Sequence, residues 1–273
     1  MKIARWTDDA GVGEGFVVGE RAVPFPEGRR VADVLAGGLP EARALFARVA
    51  EGEGVPLASV RLLAPLVPAS VRDFVAFEEH VEGVSAGVEG KSDVAPEWYE
   101  APTFYFTNPH TIRATEDVVA IPDTRRLDYE LELAVVIGGV AGSTGETLDP
   151  EAAASHIFGY TVMNDWSARD LQAREMKVRL GPCKGKDFGM TLGPWIVTAD
   201  ELDPFLDDDG FLAVRAEAFV NGERIGEDLV SNMGWPFPEL VAYASRNSVV
   251  VPGDVLGSGT VGNGCGLELG WYL

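Results

Sequence analysis

The sequence is poor in cysteine, in basic residues and in long apolar runs. It has two cysteines, Cys183 and Cys265, and neither stands in a CxxC or Cys/His spacing. This scarcity argues against a disulfide scaffold and against a zinc site of that kind. We expect both residues to be buried structural thiols, because free cysteine is among the most commonly buried residue types.

No apolar run approaches the length of a membrane helix, and the N-terminal residues MKIARWTDDAG lack the charged, apolar and small-residue pattern of a signal peptide. A globular protein of the cytoplasm is expected. The chain has 273 residues and 46% hydrophobic content, which suffices for one large core or for one core with a small appendage.

Basic residues number 22 against 43 acidic ones, and the formal net charge is -21. A charge this negative repels nucleic acid and anionic membrane surfaces, so we expect neither as a partner. Most of the acidic residues are expected to lie on a solvated surface. The remaining ones allow for some carboxylates that hold a divalent cation.

The first 66 residues resemble a small α+β domain. Two short strand candidates, KIARWT and GFVVGE, precede residues 28–54, in which apolar residues recur at helical spacing. The prolines of VRLLAPLVPAS place a boundary there, so residues 67–273 are expected to form the second domain. In the following SVRDFVAFEEHVEG, a helix is predicted from about Asp73 with Ser70 as its N-cap. Residues 83–97 are predicted to be a loop, either disordered or covering a site.

From residue 103 the pattern is mainly β, with an Asn221-Gly222 hairpin signal and helices predicted in DPEAAASHIFGY and PFPELVAYASRN. The strands are irregularly spaced and few helices join them. This favours an α+β fold built on a mixed or rolled sheet over a doubly wound parallel sheet.

Residues 127–139, LDYELELAVVIGG, form a predicted strand that carries acidic residues. Asp128, Glu130 and Glu132 share one face, because side chains alternate along a strand. Residues 134–137 are apolar on both faces, so the glutamates stand at the end of a covered strand. Neighbouring carboxylates in such a place need a proton or a counter-cation. From this strand alone, a site for Mg²⁺ or Ca²⁺ and a solvated polar face remain equally open.

A second polar stretch is MNDWSARDLQ, followed by LGPCKGKDFG. It favours a site for an anionic, oxygen-rich ligand over a polar turn with surface ion pairs. The residues that suggest this are Asp165, Arg169, Asp170, Gln172, Lys184 and Lys186, beside Trp166.

In order, LDYELELAVVIG, MNDWSARDLQ, LGPCKGKDFG with LGPW, and PGDVLGSGT resemble the fumarylacetoacetate hydrolase family, from about residue 60 to 268. NDWSARD is the most specific of these motifs. The resemblance implies a β-rich roll with a smaller N-terminal domain, usually a homodimer, in agreement with the α+β expectation.

The resemblance also implies site residues. Glu130, Glu132 and Asp165 match the carboxylates that hold Mg²⁺ or Ca²⁺, and Mn²⁺ shares such ligands. Asp73 matches a further ligand of the larger hydrolases. His80, seven residues on, matches their general base. A lone histidine in FEEHV would otherwise be read as pairing with a neighbouring glutamate on a helix surface.

The remaining implied roles concern orientation and substrate. Glu268 matches the acid that orients the base. Arg169, Gln172 and Lys186 match residues that bind the departing enolate. Tyr105 matches a substrate contact, and Thr260 a residue that meets a substrate carboxylate.

The function so implied is metal-dependent hydrolysis of a carbon-carbon bond in a small 2,4-dioxo acid. The alternatives are a lyase or isomerase on the same scaffold (a 2-oxo acid decarboxylase, a sugar-acid dehydratase or a dienoate isomerase) and a non-catalytic ligand-binding protein. In the family's hydrolase of a long dicarboxylate, an arginine in the loop after the histidine binds the far carboxylate. Residues 81–97 contain no arginine, and Glu89 and Lys91 stand in that loop instead, which argues against fumarylacetoacetate itself as the substrate. Relatives usually continue beyond GWYL, so further β segments are expected after residue 273.

Overall fold

The computed structural model describes residues 1–89 and 93–272. Its strands are β1 (Lys2–Asp8), β2 (Gly11–Val18), β3 (Arg21–Pro24), β4 (Val55–Pro56), β5 (Arg61–Leu63), β6 (Val71–Phe74), β7 (Phe104–Thr107), β8 (Ile112–Arg113), β9 (Leu127–Asp128), β10 (Leu131–Ile137), β11 (Ile157–Asp165), β12 (Ser167–Ala168), β13 (Met190–Leu192), β14 (Ile196–Thr198), β15 (Arg215–Val220), β16 (Glu223–Leu229) and β17 (Val255–Gly257). Its helices are α1 (Val31–Val49), α2 (Glu78–Glu89), α3 (Pro150–His156), α4 (Arg169–Met176), α5 (Ala199–Leu202), α6 (Phe237–Ser245) and α7 (Gly266–Leu269). Short 3₁₀ turns lie at Pro26–Gly28, Leu57–Ser59, Pro96–Tyr99, Pro109–Thr111, Asp203–Phe205 and Val230–Asn232.

One large mixed sheet carries most of the strands. Its order is β4-β3-β2-β1-β14-β11-β10-β17-β6-β7, with β5 beside β1, β13 beside β11 and β8 beside β13. The pairs β17/β6 and β13/β8 are parallel, whereas β10 pairs antiparallel with both β11 and β17. The predicted α+β class with a mixed sheet is confirmed.

Strand β10 is covered on both faces, as its continuous apolar sequence predicts. Ala134 and Val136 pack into a core with residues of α1, whereas Val135 and Ile137 pack into a second core with residues of α6. All four side chains are fully buried. Burying each valine or isoleucine contributes about 1.5–3 kcal/mol, which fixes the strand and the polar residues before it.

The N-terminal strands and α1 form where the sequence predicts them. Strand β1 pairs with β14, so that Lys2 lies opposite Val197, and the first strands therefore extend the main sheet. The predicted division after residue 66 stays a prediction. The helix predicted at residues 149–160 is confirmed as α3 up to His156, but it is wrong for the last four residues, which begin strand β11. The helix predicted at residues 236–247 corresponds to α6. The Asn221-Gly222 turn joins β15 and β16 with φ values of 52° and 82°, as a two-residue hairpin requires.

The predicted helix from Asp73 is wrong at its start. Asp73 lies on β6, opposite Gly257 of β17 and Tyr105 of β7, and these two ladders override the helical pattern. Ser70 is no helix cap, because its hydroxyl donates to Asp254 at 2.7 Å. Helix α2 begins at Glu78.

The predicted loop over residues 83–97 is also wrong in part, because α2 continues through Glu89 and a 3₁₀ turn occupies Pro96–Tyr99. Lys91, named above, lies outside the described residues. Among the helices of the described ranges, none is both long and apolar enough to cross a membrane.

Candidate metal centre and active site

Four buried carboxylates meet at one end of the covered strand. Asp73 comes from β6, Glu132 from β10 and Asp165 from the end of β11, while Glu130 directly precedes β10. One oxygen of each lies within 4.8 Å of the others. The β10/β11 pairing brings Asp165 beside Glu130, whose carbonyl accepts from the Asp165 amide at 3.2 Å.

Gly257 on β17 leaves the space that this cluster occupies. A Cβ atom there would lie 2.7 Å from Oδ1 of Asp73 and 2.8 Å from Oε2 of Glu132. Sequence reasoning missed this residue, although a glycine inside a strand is a signal of close approach by another group.

Burial and mutual repulsion shift the pKa values of the cluster. Desolvation, followed by the charge of Asp165, raises the pKa of Asp73 well above its usual value, and desolvation with Asp73 does the same for Glu132. Desolvation also opposes ionisation of Glu130, but the Lys186 and Arg169 charges outweigh it and lower the pKa of Glu130. The metal-free cluster therefore binds protons more readily at Asp73 and Glu132 than at Glu130.

The donor set fits a hard divalent cation. Oδ1 of Asp73, Oε1 of Glu132 and Oδ1 of Asp165 are buried and have no hydrogen-bond partner among the described residues. Unpartnered buried oxygens on adjacent carboxylates are costly unless a cation or a proton satisfies them. Oxygen-only ligands of this kind suit Mg²⁺, Mn²⁺ or Ca²⁺.

Two buried cations border the carboxylates. Lys186 contacts Glu130 and also donates to Oδ2 of Asp165 at 2.7 Å. Arg169, at the start of α4, donates from Nη1 to Oε1 of Glu130 at 2.6 Å. Gln172, one turn along α4, accepts from the same Nη1 at 3.2 Å. The structure thus brings Arg169, Gln172 and Lys186 together at the cluster.

Asp128 anchors this arrangement and was given no role in the sequence analysis. Its Oδ2 accepts from Nε of Arg169 at 2.8 Å, while its two oxygens accept from the amides of Gly266 and Leu267 at 2.7 and 3.0 Å. The alternation of Asp128 with Glu130 was the available signal. Asp128 therefore links the first turn of α7 to the guanidinium group of Arg169.

Tyr105 and Thr260 reach the same place. The Tyr105 hydroxyl donates to Oδ2 of Asp165 at 2.5 Å, and burial, with the charge of Asp165, raises its pKa well above the usual value. Thr260 is buried, and its Oγ1 has no partner among the described residues. A hydroxyl left free in a buried position is available to a ligand.

His80 lies beside the cluster and is paired with Glu268. Its Nδ1 is 3.4 Å from Oε2 of Glu268, and its Nε2 is 3.9 Å from Oε1 of Glu130. Cys265 donates from Sγ to the same Oε2 of Glu268 at 3.1 Å. Burial opposes ionisation of Glu268, yet the contacts with His80 and Cys265 lower its pKa. His80 does not pair with Glu78 or Glu79, as the helix-surface interpretation would have it.

These groups line one cavity of about 580 Å³. Among the predicted site residues its lining includes Asp73, His80, Tyr105, Glu130, Glu132, Arg169, Gln172, Lys186 and Thr260. Glu268 stands behind His80, and Asp165 stands behind Tyr105 and Lys186.

Other residues of the polar stretch have different partners. Asp170 contacts Thr124, and Lys184 donates to Asp187 at 2.7 Å on the surface. Trp166 donates to Thr191 at 2.9 Å. Cys265 is buried as predicted, but the prediction for Cys183 is wrong, because it is exposed.

Comparisons with known proteins agree with this fold. A sequence model of the C-terminal domain of fumarylacetoacetate (FAA) hydrolase matches residues 69–272. Fumarylacetoacetase of Arabidopsis thaliana is 31% identical over 260 residues, which cover 79% of this chain and 61% of that protein. Fumarylacetoacetase of Bos taurus is 30% identical, with 78% and 61% covered. The chain thus spans about 61% of the length of these curated relatives.

Solved structures show the same architecture. Fumarylacetoacetate hydrolase from the psychrophile Exiguobacterium antarcticum superposes with a TM-score of 0.75 at 28% identity, over 100% of this chain and 91% of that one. A 5-carboxymethyl-2-hydroxymuconate delta-isomerase from Mycobacterium smegmatis gives 0.67 at 27% identity, over 95% and 88%. Since the family model matches most of the chain, and the fold agrees, the chain belongs to the fumarylacetoacetate hydrolase family.

Proposed function

We propose that the protein is a divalent-metal-dependent hydrolase that cleaves a carbon-carbon bond in a 2,4-dioxo acid of the acylpyruvate type. The observation that carries the proposal is the placement of His80, paired with Glu268, beside the four-carboxylate cluster in one cavity. The relatives named fumarylacetoacetase support hydrolysis as the reaction class.

The reaction consumes one water. The water oxygen adds to the distal carbonyl carbon, and the bond between that carbon and the central methylene breaks. The acyl fragment leaves as a carboxylic acid, while the other fragment leaves as the enolate of a 2-oxo acid and takes a proton on carbon. Atoms and charge balance without an oxidant or a reductant.

The metal would be held by Asp73, Glu130, Glu132 and Asp165. When bound, a divalent cation such as Mg²⁺, Mn²⁺ or Ca²⁺ would supply Lewis acidity and a template for the 2-oxo acid end of the substrate. The unpartnered oxygens of three of these residues are the structural support for this assignment.

His80 would act as the general base. With Nδ1 facing the Glu268 carboxylate, we assign the ring proton to Nδ1, which leaves the lone pair on Nε2 free to accept a proton from water. The carboxylate of Glu268 then stabilises the imidazolium that forms. A contact of 3.4 Å is long for a hydrogen bond, and such contacts often tighten when substrate binds.

Lys186, Arg169 and Gln172 would stabilise the negative charge that develops on the departing enolate. They are already fixed by the cluster, so little reorganisation is needed at that moment. Losing one such donor typically costs about 3 kcal/mol of transition-state stabilisation. Thr260 Oγ1 would donate to a substrate carboxylate, and Tyr105 would contact the substrate.

A lyase or isomerase on the same scaffold is the second candidate. It is favoured by the delta-isomerase from Mycobacterium smegmatis, which resembles the chain about as closely as the hydrolase from Exiguobacterium antarcticum does. Such a reaction needs an enolate but no attack by water.

Turnover in ¹⁸O-labelled water separates the two candidates. Hydrolysis must place one label in the released carboxylic acid, and mass spectrometry of the products detects it. Product formation without that label would overturn hydrolysis and favour the lyase or isomerase. A complete lack of turnover across 2-oxo and 2,4-dioxo acids, with Mg²⁺ and Mn²⁺ present, would overturn both in favour of a binding protein. A homodimer remains the expected assembly.

A further inference from the structure

The charged groups of the cavity are concentrated at one end. Its described lining includes three side chains that can carry positive charge, His80, Arg169 and Lys186. Each of them faces a carboxylate of the cluster or its neighbour: Glu268 for His80, Glu130 for Arg169, and Glu130 with Asp165 for Lys186. Within the described ranges, no lining cation remains for a ligand group at the other end.

The wall beyond His80 is apolar. Val84 lies on α2 four residues after His80, on the same helical face and roughly 6 Å further along the axis. Trp98 also lines the cavity, and its Nε1 donates to the Val75 carbonyl at 2.7 Å, so its polar atom is already used. Val81 and Ala95 add further apolar side chains to the lining.

Beyond the cluster, the further charged residue of the described lining is an acid. Glu97 belongs to the lining and is exposed at the rim. Its charge acts through water there, so its repulsion of an anion is weak. The stronger obstacle to a distal carboxylate is desolvation against the apolar wall without a cationic partner.

We propose that the substrate group beyond the cleaved bond is a neutral, apolar acyl chain, and that the site discriminates against substrates ending in a second carboxylate. This specificity rests on the proposed function, because it assumes that the 2-oxo acid end is held at the carboxylate cluster. The wall formed by Val84 and Trp98 then receives the acyl group.

Two substrates of equal chain length test the proposal. One is a 2,4-dioxo acid with an unbranched alkyl end, and the other ends in a carboxylate. Loss of the enol absorbance in the presence of Mn²⁺ gives kcat/KM for each. We expect kcat/KM to be higher for the neutral substrate by a factor on the order of 100. The reason is that a carboxylate that leaves water without a cationic partner is destabilised in the site.

A variant of the wall refines the test. Val84→Arg places a guanidinium group one helical turn beyond His80, and we expect it to reduce the preference by at least about tenfold. Val84→Met has a similar reach without charge and should keep the neutral preference. Thermal unfolding verifies that both variants fold. If Val84→Arg does not fold, the ratio of kcat/KM for the two substrates in the unmodified protein still decides the proposal.

The outcomes separate this inference from the function on which it rests. If both substrates are cleaved and the carboxylate-ended one is equal or better, the specificity is overturned while the hydrolase proposal stands. If neither neutral nor charged 2,4-dioxo acids are cleaved, the hydrolase proposal is overturned, and the specificity proposal that rests on it is overturned as well.

Discussion

His80 Nδ1 lies 3.4 Å from Glu268 Oε2, although helix α2 and helix α7 are separated by most of the chain. The contact holds because Asp128 fixes the first turn of α7 through the amides of Gly266 and Leu267. Asp128 also holds Arg169, so the histidine and the guanidinium group share one support. The geometry of the base therefore depends on Asp128 of β9, two residues before the carboxylate of Glu130.

The first prediction concerns His80. Because a positioned general base typically contributes about 10²- to 10⁴-fold, His80→Ala should lower kcat by that factor. Divalent metal binding should survive, since the histidine is not among the four clustered carboxylates. Steady-state kinetics and metal titration by calorimetry measure the two effects. His110→Ala is the matched control, because His110 is exposed in a 3₁₀ turn. Unchanged turnover in His80→Ala would contradict the assignment of the base.

The second prediction concerns Glu130, the carboxylate of the cluster that contacts both buried cations, Arg169 and Lys186. Glu130→Gln removes one anionic ligand and leaves Lys186 and Arg169 with less compensation, so Mn²⁺ affinity should fall at least about tenfold. Calorimetric titration measures the affinity. Glu116→Gln, at an exposed position, controls for the loss of one negative charge elsewhere on the protein. If Glu130→Gln kept full affinity, the charge of Glu130 would have no role in holding a metal.

Sequence patterns predicted the parts of this site that depend on local chemistry. The continuous apolar run after Glu132 predicted a strand buried on both faces, and the structure confirms it at Val135 and Val136. Residue types in MNDWSARDLQ and CKGKD predicted a polar ligand site, and Arg169 and Lys186 do meet there.

The parts that depend on tertiary contact were missed. Asp73 follows a helical pattern, but its pairing with Gly257 and Tyr105 makes it part of a strand. Periodicity reports only the neighbours along the chain, so it cannot detect a ladder formed with distant strands. The roles of Asp128 and Gly257 depend on the same long-range packing.

The third prediction concerns pH and metal together. Asp73 and Glu132 have pKa values raised above 3.8 and 4.5 in the folded protein. Their contribution to stability is complete below those ordinary values and is lost as pH rises through the raised values. The metal-free protein should therefore lose stability as pH increases above that range, and stabilisation by Mn²⁺ should grow, because the cation replaces the bound protons.

Thermal unfolding midpoints between about pH 5 and about pH 7.5, with EDTA or with excess Mn²⁺, measure both effects. Asp73→Asn carries no titrating proton at that position and should flatten the dependence seen in EDTA. Glu130 does not interfere, because its lowered pKa confines its own titration to more acidic conditions. A stabilisation by Mn²⁺ that is constant over this range would mean that the cluster does not bind protons in competition with the metal.

The fourth prediction concerns Gly257, whose missing side chain makes room for the carboxylates. A Cβ atom there would lie 2.1 Å from Cε of Met163 as well as against Asp73 and Glu132, so Gly257→Ala must displace buried groups. Overpacking of this kind typically costs about 1–3 kcal/mol in the free energy of unfolding, and here it should also weaken Mn²⁺ binding, because two ligands move. Gly189→Ala is a suitable control, since a Cβ atom there would meet the end of the Val119 side chain at 3.1 Å and the Trp166 ring at 3.9 Å, neither of which is a carboxylate of the cluster. Denaturant unfolding and metal titration distinguish the effects: a loss of stability with normal metal affinity would show that Gly257 serves the packing of β17 and not the arrangement of the carboxylates.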